Sequence, residues 1–404
     1  MSRSHSNPPI VEAIALNGKN TPSELLAISR GLENPASATS SRSNNNSSSG
    51  NNNNNNNNSS DKKKDFKFKK PDIEGAKRFL DQYNWPPGLQ DALIRSVKKL
   101  PLRYFICDDS GSMLTNDGHR IIGSGENTKI IGCTRWSELV QSLKFHAELS
   151  EAAGAASEFR LINLHKPILV GTDDSEGKID ELFELFDNGP AGQTPICRHI
   201  EEVIAEIRSM KDRLIEEKLR VAVIISTDGE PTDGDIAESM KPLQDLPVWI
   251  VVRICTDDDV IVKYWNEIDE HLELEIDVLD DFSAEAAEVD AVNSWLTYGQ
   301  PMHALREFGA IIKECDILDE ATLSTEQMHV VAAILLGTGS VRSFGCHPDA
   351  DWTSFIQTVH KGNNNRDFVY DPLLKKMLPW INIPNLCKVY NKPNPLKSAA
   401  CVIC

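Results

Sequence analysis

The sequence predicts an α/β fold, a mainly parallel sheet with helices on both faces, behind a tail that has no fold of its own. Three observations carry this. Between residues 101 and 280, short uninterrupted apolar runs alternate with segments of helical period, as expected of strands buried on both faces by crossover helices. Those runs, LRVAVIIS and VWIVVRIC among them, are strand-sized and far short of the roughly 20 residues that span a bilayer. Residues 1–65, which include SATSSRSNNNSSSGNNNNNNNNSSDKKK, have almost nothing apolar to bury and cannot offset the entropy of ordering.

The elements follow in order. Residues 66–100 read as a helical hairpin leading into the domain: DIEGAKRFLDQYN and PGLQDALIRSVKKL are split by Trp85-Pro86-Pro87, with Leu80, Tyr83, Leu89, Leu93 and Val97 on an apolar side. LRYFIC is a buried strand, and RWSELVQSLKFHAELSEAAG a helix with Trp136, Leu139, Val140, Leu143 and Ala147 at helical spacing. FRLINL and PILVG are strands and KIDELFELF a short helix. TPICRHIEEVIAEIRSM is a helix with Pro195 in its first turn, where a missing N–H costs little. LRVAVIIS, PVWIVVRIC and ELEIDVL complete the strands, separated by the helices GDIAESMKPL and VIVKYWNEIDEHL. Residues 281–390 are expected to be mostly helical. STEQMHVVAAILLG carries a capping box at Ser324 and Gln327, and DADWTSFIQTVHKG is a second helix there. Residues 391–404 read as a flexible tail.

The net charge of −18 is unevenly spread. Residues 101–340 hold 19 Lys/Arg against 47 Asp/Glu, a net of −28, whereas both ends are basic. A body this acidic repels a phosphate backbone, so nucleic acid is not an expected partner. It attracts cations. The opening MSRSHSNPPIVEAIAL lacks the apolar core of a signal peptide, which predicts a cytoplasmic rather than a secreted protein. Nine cysteines without regular spacing fit a reduced compartment.

Ligands of an open parallel sheet gather at the carboxyl ends of its strands. Three polar clusters fall there or in adjoining loops. In DDSGSM, extended backbone sends Asp108, Ser110 and Ser112 to one side. Thr194 ends the glycine-rich loop NGPAGQT, and Asp228 follows a strand in VIISTDGEPTDGD. Two carboxylates, three hydroxyls and no His or Cys suit a small hard cation such as Mg²⁺ or Mn²⁺. Two carboxylates only balance a divalent charge, which leaves the ion able to accept one more anionic oxygen from outside. Each cluster alone has an ordinary reading as turn or cap residues; together, and in this order, they point to a metal.

DDSGSM, GQTP and TDGEPTDGD in this order resemble the von Willebrand factor A (vWA) domain and its metal-ion-dependent adhesion site. The resemblance covers about residues 100–280. It implies a Rossmann-like fold, Mg²⁺ or Mn²⁺ held by Asp108, Ser110, Ser112, Thr194 and Asp228, and a protein partner that offers an Asp or Glu carboxylate to the ion. Asp109 stands at a variable position and receives no ligand role.

The terminal Cys401-Val-Ile-Cys404 matches a prenylation motif, with Cys401 as the acceptor. One lipid binds a membrane only marginally. Lys388, Lys392, Lys397 and the lysines of DKKKDFKFKK would add attraction to an anionic surface. The sequence thus predicts an interaction module held peripherally at a membrane. The alternative is a Mg²⁺-dependent hydrolase or phosphotransferase using the same oxygens. The chain has no phosphate-binding Gly-x-x-x-x-Gly-Lys loop and no Gly-x-Ser-x-Gly elbow. Glu230 is the one base near the metal cluster, and His119 and His146 read as surface or packing residues.

Overall fold

Asp72 caps helix α1 (Ile73–Gln82), its carboxylate accepting the Gly75 amide at 2.8 Å. The structure is a computed structural model that describes residues 70–398, apart from residues 165, 257, 273 and 338–343. The tail expected over residues 1–65, the lysines before Lys70 and the motif at Cys401 lie outside the described residues. Helix α2 (Pro87–Lys99) begins on a proline, and the two helices bury Leu80, Leu89, Leu93 and Val97 with Tyr83 half-buried, the apolar side expected.

Strand β1 (Leu102–Cys107) is buried throughout. After the polar loop at 108–112 comes a feature the sequence reading did not anticipate, an antiparallel hairpin of β2 (Gly118–Ile122) and β3 (Lys129–Cys133). Helix α3 (Arg135–Ala153) then leads to β4 (Ala156–Leu161) and β5 (Ile168–Val170). Next come α4 (Lys178–Asp187), α5 (Ile196–Glu216), β6 (Val221–Thr227), α6 (Ile236–Met240), β7 (Val248–Ile254), α7 (Asp259–His271) and β8 (Ile276–Leu279).

The main sheet runs β5-β4-β1-β6-β7-β8. Neighbours are parallel from β4 to β8, while β5 pairs antiparallel with β4, Ser157 opposite Val170. The exception has a simple cause. A parallel crossover needs a dozen or more residues, and the link between Leu161 and Ile168 is too short for one. β5 therefore turns straight back.

Alternation along the strands divides the side chains between two layers. Phe105, Ala222, Ile224, Trp249 and Val251 share one core with α1, α2, α3 and the C-terminal helices. On the opposite face, Tyr104 reaches α5, its hydroxyl donating to Glu206 at 2.9 Å.

The C-terminal part is helical as expected: α8 (Phe282–Asn293), α9 (Gln300–Glu307), α10 (Lys313–Asp316), α11 (Thr325–Leu336) and α12 (Trp352–Asn364). A small antiparallel pair, β9 (Val369–Asp371) and β10 (Lys376–Leu378), interrupts it before α13 (Ile383–Val389) and α14 (Pro395–Ser398). Ser324 and Gln327 form the reciprocal capping box at the start of α11. Helices α2 and α11 meet so closely that a Cβ on Gly88 would lie 2.1 Å from the Ile334 carbonyl oxygen. The C-terminal helices are thus continuous with the core of the sheet. The seven described cysteines are free thiols.

Buried charges tie this layer to the sheet. Arg253 on β7 donates to Glu307 of α9 at 2.6 Å and to Glu138 of α3 at 2.5 Å. Arg103 donates to the Phe308 and Leu100 carbonyls at 3.0 and 2.9 Å, its guanidinium 4.1 Å above the Phe308 ring. His146 is a packing residue, stacked between Phe105 and Phe308.

His303 on α9 is buried beside Tyr298 and Glu307, and burial pushes its pKa down from 6.5 to about 4. The unfolded chain therefore takes up this proton first as pH falls. The contribution of neutral His303 to stability is complete above pH ~6.5 and drains away toward pH ~4, by up to about 3 kcal/mol. Urea unfolding across that window should show the decline, and His303→Asn should flatten it; an unchanged slope in the variant would place the titration elsewhere.

Candidate metal centre

The strand order reverses between β1 and β6. From β1 the chain moves outward to β4 and β5, and from β6 outward in the other direction to β7 and β8. Such a switch point leaves a crevice at the carboxyl ends of the two central strands. Asp108 is the first residue after β1 and Asp228 the first after β6. The Asp108 amide still continues the ladder, donating to the Ser226 carbonyl at 2.8 Å.

Four of the five expected metal residues form one hydrogen-bonded chain. Asp108 Oδ1 accepts the Ser110 amide at 2.9 Å. The hydroxyls of Ser110 and Ser112 are hydrogen-bonded at 2.9 Å, and Ser112 Oγ donates to Asp228 Oδ1 at 2.9 Å. The second oxygen of Asp108 accepts the Thr227 hydroxyl at 2.7 Å. Asp108, Ser110 and Asp228 are buried, and Ser112 opens the group to solvent.

No side-chain hydrogen bond joins Thr194 to the other four, but its loop is stitched to theirs. The Gly111 amide donates to the Gly192 carbonyl at 3.2 Å and the Ala191 amide to the Asp109 carbonyl at 2.7 Å. Gly192 sits at φ +102°, and a Cβ there would lie 2.4 Å from Asn163 Oδ1, so the loop passes only as glycine. Thr194 itself is buried and is tied to Thr232 of the third loop: its amide donates to the Thr232 hydroxyl at 3.2 Å, and its carbonyl accepts the Thr232 amide at 2.9 Å. That loop also caps α5, Asp233 accepting the Cys197 and Arg198 amides at 3.1 and 3.0 Å. Asp109 turns away from the cluster, and Asn163 donates to its Oδ1 through both amide groups at 2.9 and 3.0 Å. Its role is to join the loops after β1 and β4.

Two further residues, neither singled out by the sequence, bond to the cluster. Thr227, fully buried, donates to Asp108 and in sequence looks like any threonine that ends a strand. Arg135, the first residue of α3, donates through Nη1 to Asp228 Oδ2 at 2.8 Å. It also grips both oxygens of Asp117 at 2.7 and 2.5 Å. These bonds, the one to Asp117 above all, hold Arg135 firmly protonated, and Arg135 in turn pulls Asp117 below the usual carboxylate range.

Burial pushes Asp108 up to about 6, against the hydrogen bonds from Ser110 and Thr227 and with the Asp228 charge adding to the rise. A buried pair of carboxylates facing hydroxyls is stabilised by a cation. The donor set is wholly oxygen, three of its five members neutral, which fits Mg²⁺ or Mn²⁺. Arg135 supplies one positive charge already and competes for Asp228. Arg135→Gln is therefore expected to tighten Mg²⁺ binding by about tenfold, from the loss of a like charge a few ångströms away, whereas Arg135→Lys leaves it nearly unchanged. Titration calorimetry decides this. Weaker binding by the Gln variant would mean that Arg135 positions Asp228 instead of opposing the ion.

Glu230 is exposed and is not hydrogen-bonded to the cluster. His119 lies on β2, its amide donating to Glu138 at 2.7 Å. Neither is set beside Asp108 and Asp228 by these contacts. A scan against protein-family models found no match to the chain, and a search of the curated proteins found none either.

Proposed function

We propose that residues 101–280 are a vWA-type interaction module, in which Asp108, Ser110, Ser112, Thr194 and Asp228 hold Mg²⁺ or Mn²⁺. The bound ion would supply an electrophilic anchor for an Asp or Glu carboxylate of a protein partner. The observation that carries this reading is the hydrogen-bonded chain from Ser110 through Ser112 to Asp228, beside Asp108 at the switch point of the sheet. Two different strands bring these oxygens together over a separation of more than a hundred residues. Turn or cap residues acting locally would have no need of that convergence.

The protein's own groups divide the work. Thr227 and the Ser110 amide orient Asp108; Ser112 orients Asp228, whose other oxygen Arg135 holds in competition with the ion. Asn163 and Asp109 fix the loop that shapes the rim. No observation favours the hydrolase reading, because the one candidate base, Glu230, stands exposed and outside this bonding chain.

An array of immobilised peptides tests the module directly. Peptides bearing an accessible Asp or Glu are expected to retain the protein in Mg²⁺, and to release it in EDTA or when the acid is changed to its amide. Retention that ignores EDTA would refute the reading.

For location we propose a cytoplasmic protein held peripherally at a membrane through a prenyl group on Cys401, with the exposed Lys388, Lys392 and Lys397 in support. Among the described residues no helix is long and apolar enough to cross a membrane. Mass spectrometry of the native C-terminus should find an isoprenyl adduct on Cys401; an unmodified Cys401 with Cys404 intact would end this part of the proposal.

A further inference from the structure

A second group of oxygens lies in the C-terminal layer. Glu285 and Glu288, three residues apart, share one face of α8, and Asp319 comes to them from the turn after α10. One carboxylate oxygen from each of the three lies within 4.8 Å of the others. The turn is held in place: Asn293, itself fully buried at the end of α8, donates to the Leu318 and Ala321 carbonyls at 2.8 Å each.

The charges around this group do not balance. Arg306 donates to Glu285 Oε1 and to Asp277 at 2.8 Å, and lies 3.5 Å from Asp319. Asp316, Glu288 and Glu320 feel the same guanidinium from further out. Three acidic side chains thus contact one arginine, and three more lie near enough to sense its charge. Glu285 is fully buried, and with Oε1 taken by Arg306 its other oxygen, Oε2, meets no hydrogen-bond donor. Asp319 Oδ1 is buried and equally without a donor. A buried carboxylate oxygen with no donor is costly to leave so, and two of them beside an excess of negative charge call for a cation.

We propose that Glu285, Glu288 and Asp319 form a second divalent-cation site, of a kind suited to Ca²⁺. Three carboxylates give more negative charge than the strand-end cluster and no hydroxyls. Glu288 is exposed and Asp319 partly so, which leaves room for the waters and bidentate contacts that the larger ion takes. Its place, between α8 and the turn after α10, would couple Ca²⁺ to the seating of the C-terminal layer. The site shares no residue with the strand-end cluster, so either can fail without the other.

The experiment uses the full chain carrying Asp108→Ala/Asp228→Ala, which silences the strand-end cluster, and titrates it with Ca²⁺ by calorimetry. One Ca²⁺ per chain should still bind. Adding Glu288→Gln and Asp319→Asn should weaken that binding at least ~tenfold, and in EDTA should leave the melting temperature unchanged or raised, since both changes relieve repulsion. Glu288→Gln alone, at an exposed position, should weaken binding in a chain whose folding it does not disturb. A parent that binds no Ca²⁺, or a Glu288→Gln variant that binds as tightly as the parent, would overturn the proposal.

Discussion

Arg306→Ala should destabilise the protein by about 3–5 kcal/mol, the range for removing one partner of a buried ion pair. The side chain is almost wholly buried and donates to Asp277 on β8 and Glu285 on α8. Truncation strands both carboxylates in the interior and unties α9 from the edge of the sheet. Arg306→Met with Asp277→Asn and Glu285→Gln removes the charges together, and should recover most of the loss. Urea unfolding measures both. A loss below about 1 kcal/mol in the Ala variant would mean that water reaches the acids and that the network holds little.

Asp108→Ala/Asp228→Ala should weaken Mg²⁺ or Mn²⁺ binding at the strand ends by more than ~100-fold, the two carboxylates being the only charged oxygens in the set. Unfolding is not the expected cause. Burial raises the Asp108 pKa to about 6, so near neutral pH the folded chain carries an ionised group that it holds less favourably than the unfolded chain does. That cost is present above pH ~6 and fades as pH falls toward the ordinary carboxylate value. Removing Asp108 relieves it, and Arg135 keeps Asp117 when Asp228 is gone. In EDTA the double variant should therefore melt at or above the wild-type temperature while binding no metal there.

What the sequence disclosed depended on whether burial was written in apolar letters. The strands β1, β6 and β7 and the face of α3 were legible because their buried residues are Leu, Ile, Val and aromatics at the right period. Strand ends then placed Asp108 and Asp228. Helix α8 was hidden because its buried side includes Glu285 and Asn293 beside Ala286 and Val289, so half the inward stripe looks solvent-facing. Arg306 and Glu307 disguise α9 in the same way. The direction of β5 was set by the length of a loop, which apolar runs do not report. Arg135 could be assigned to Asp228 only once the β2–β3 hairpin was known to return the chain to the crevice, since 93 positions separate the two.

Anomalous diffraction from crystals of the full chain soaked in Mn²⁺ tests the central claim most directly. A peak is expected among Asp108, Ser110, Ser112, Thr194 and Asp228, with no peak there in crystals of Asp108→Ala/Asp228→Ala. Wild-type crystals that show Asp228 still bound to Arg135 and no peak at the strand ends would contradict it.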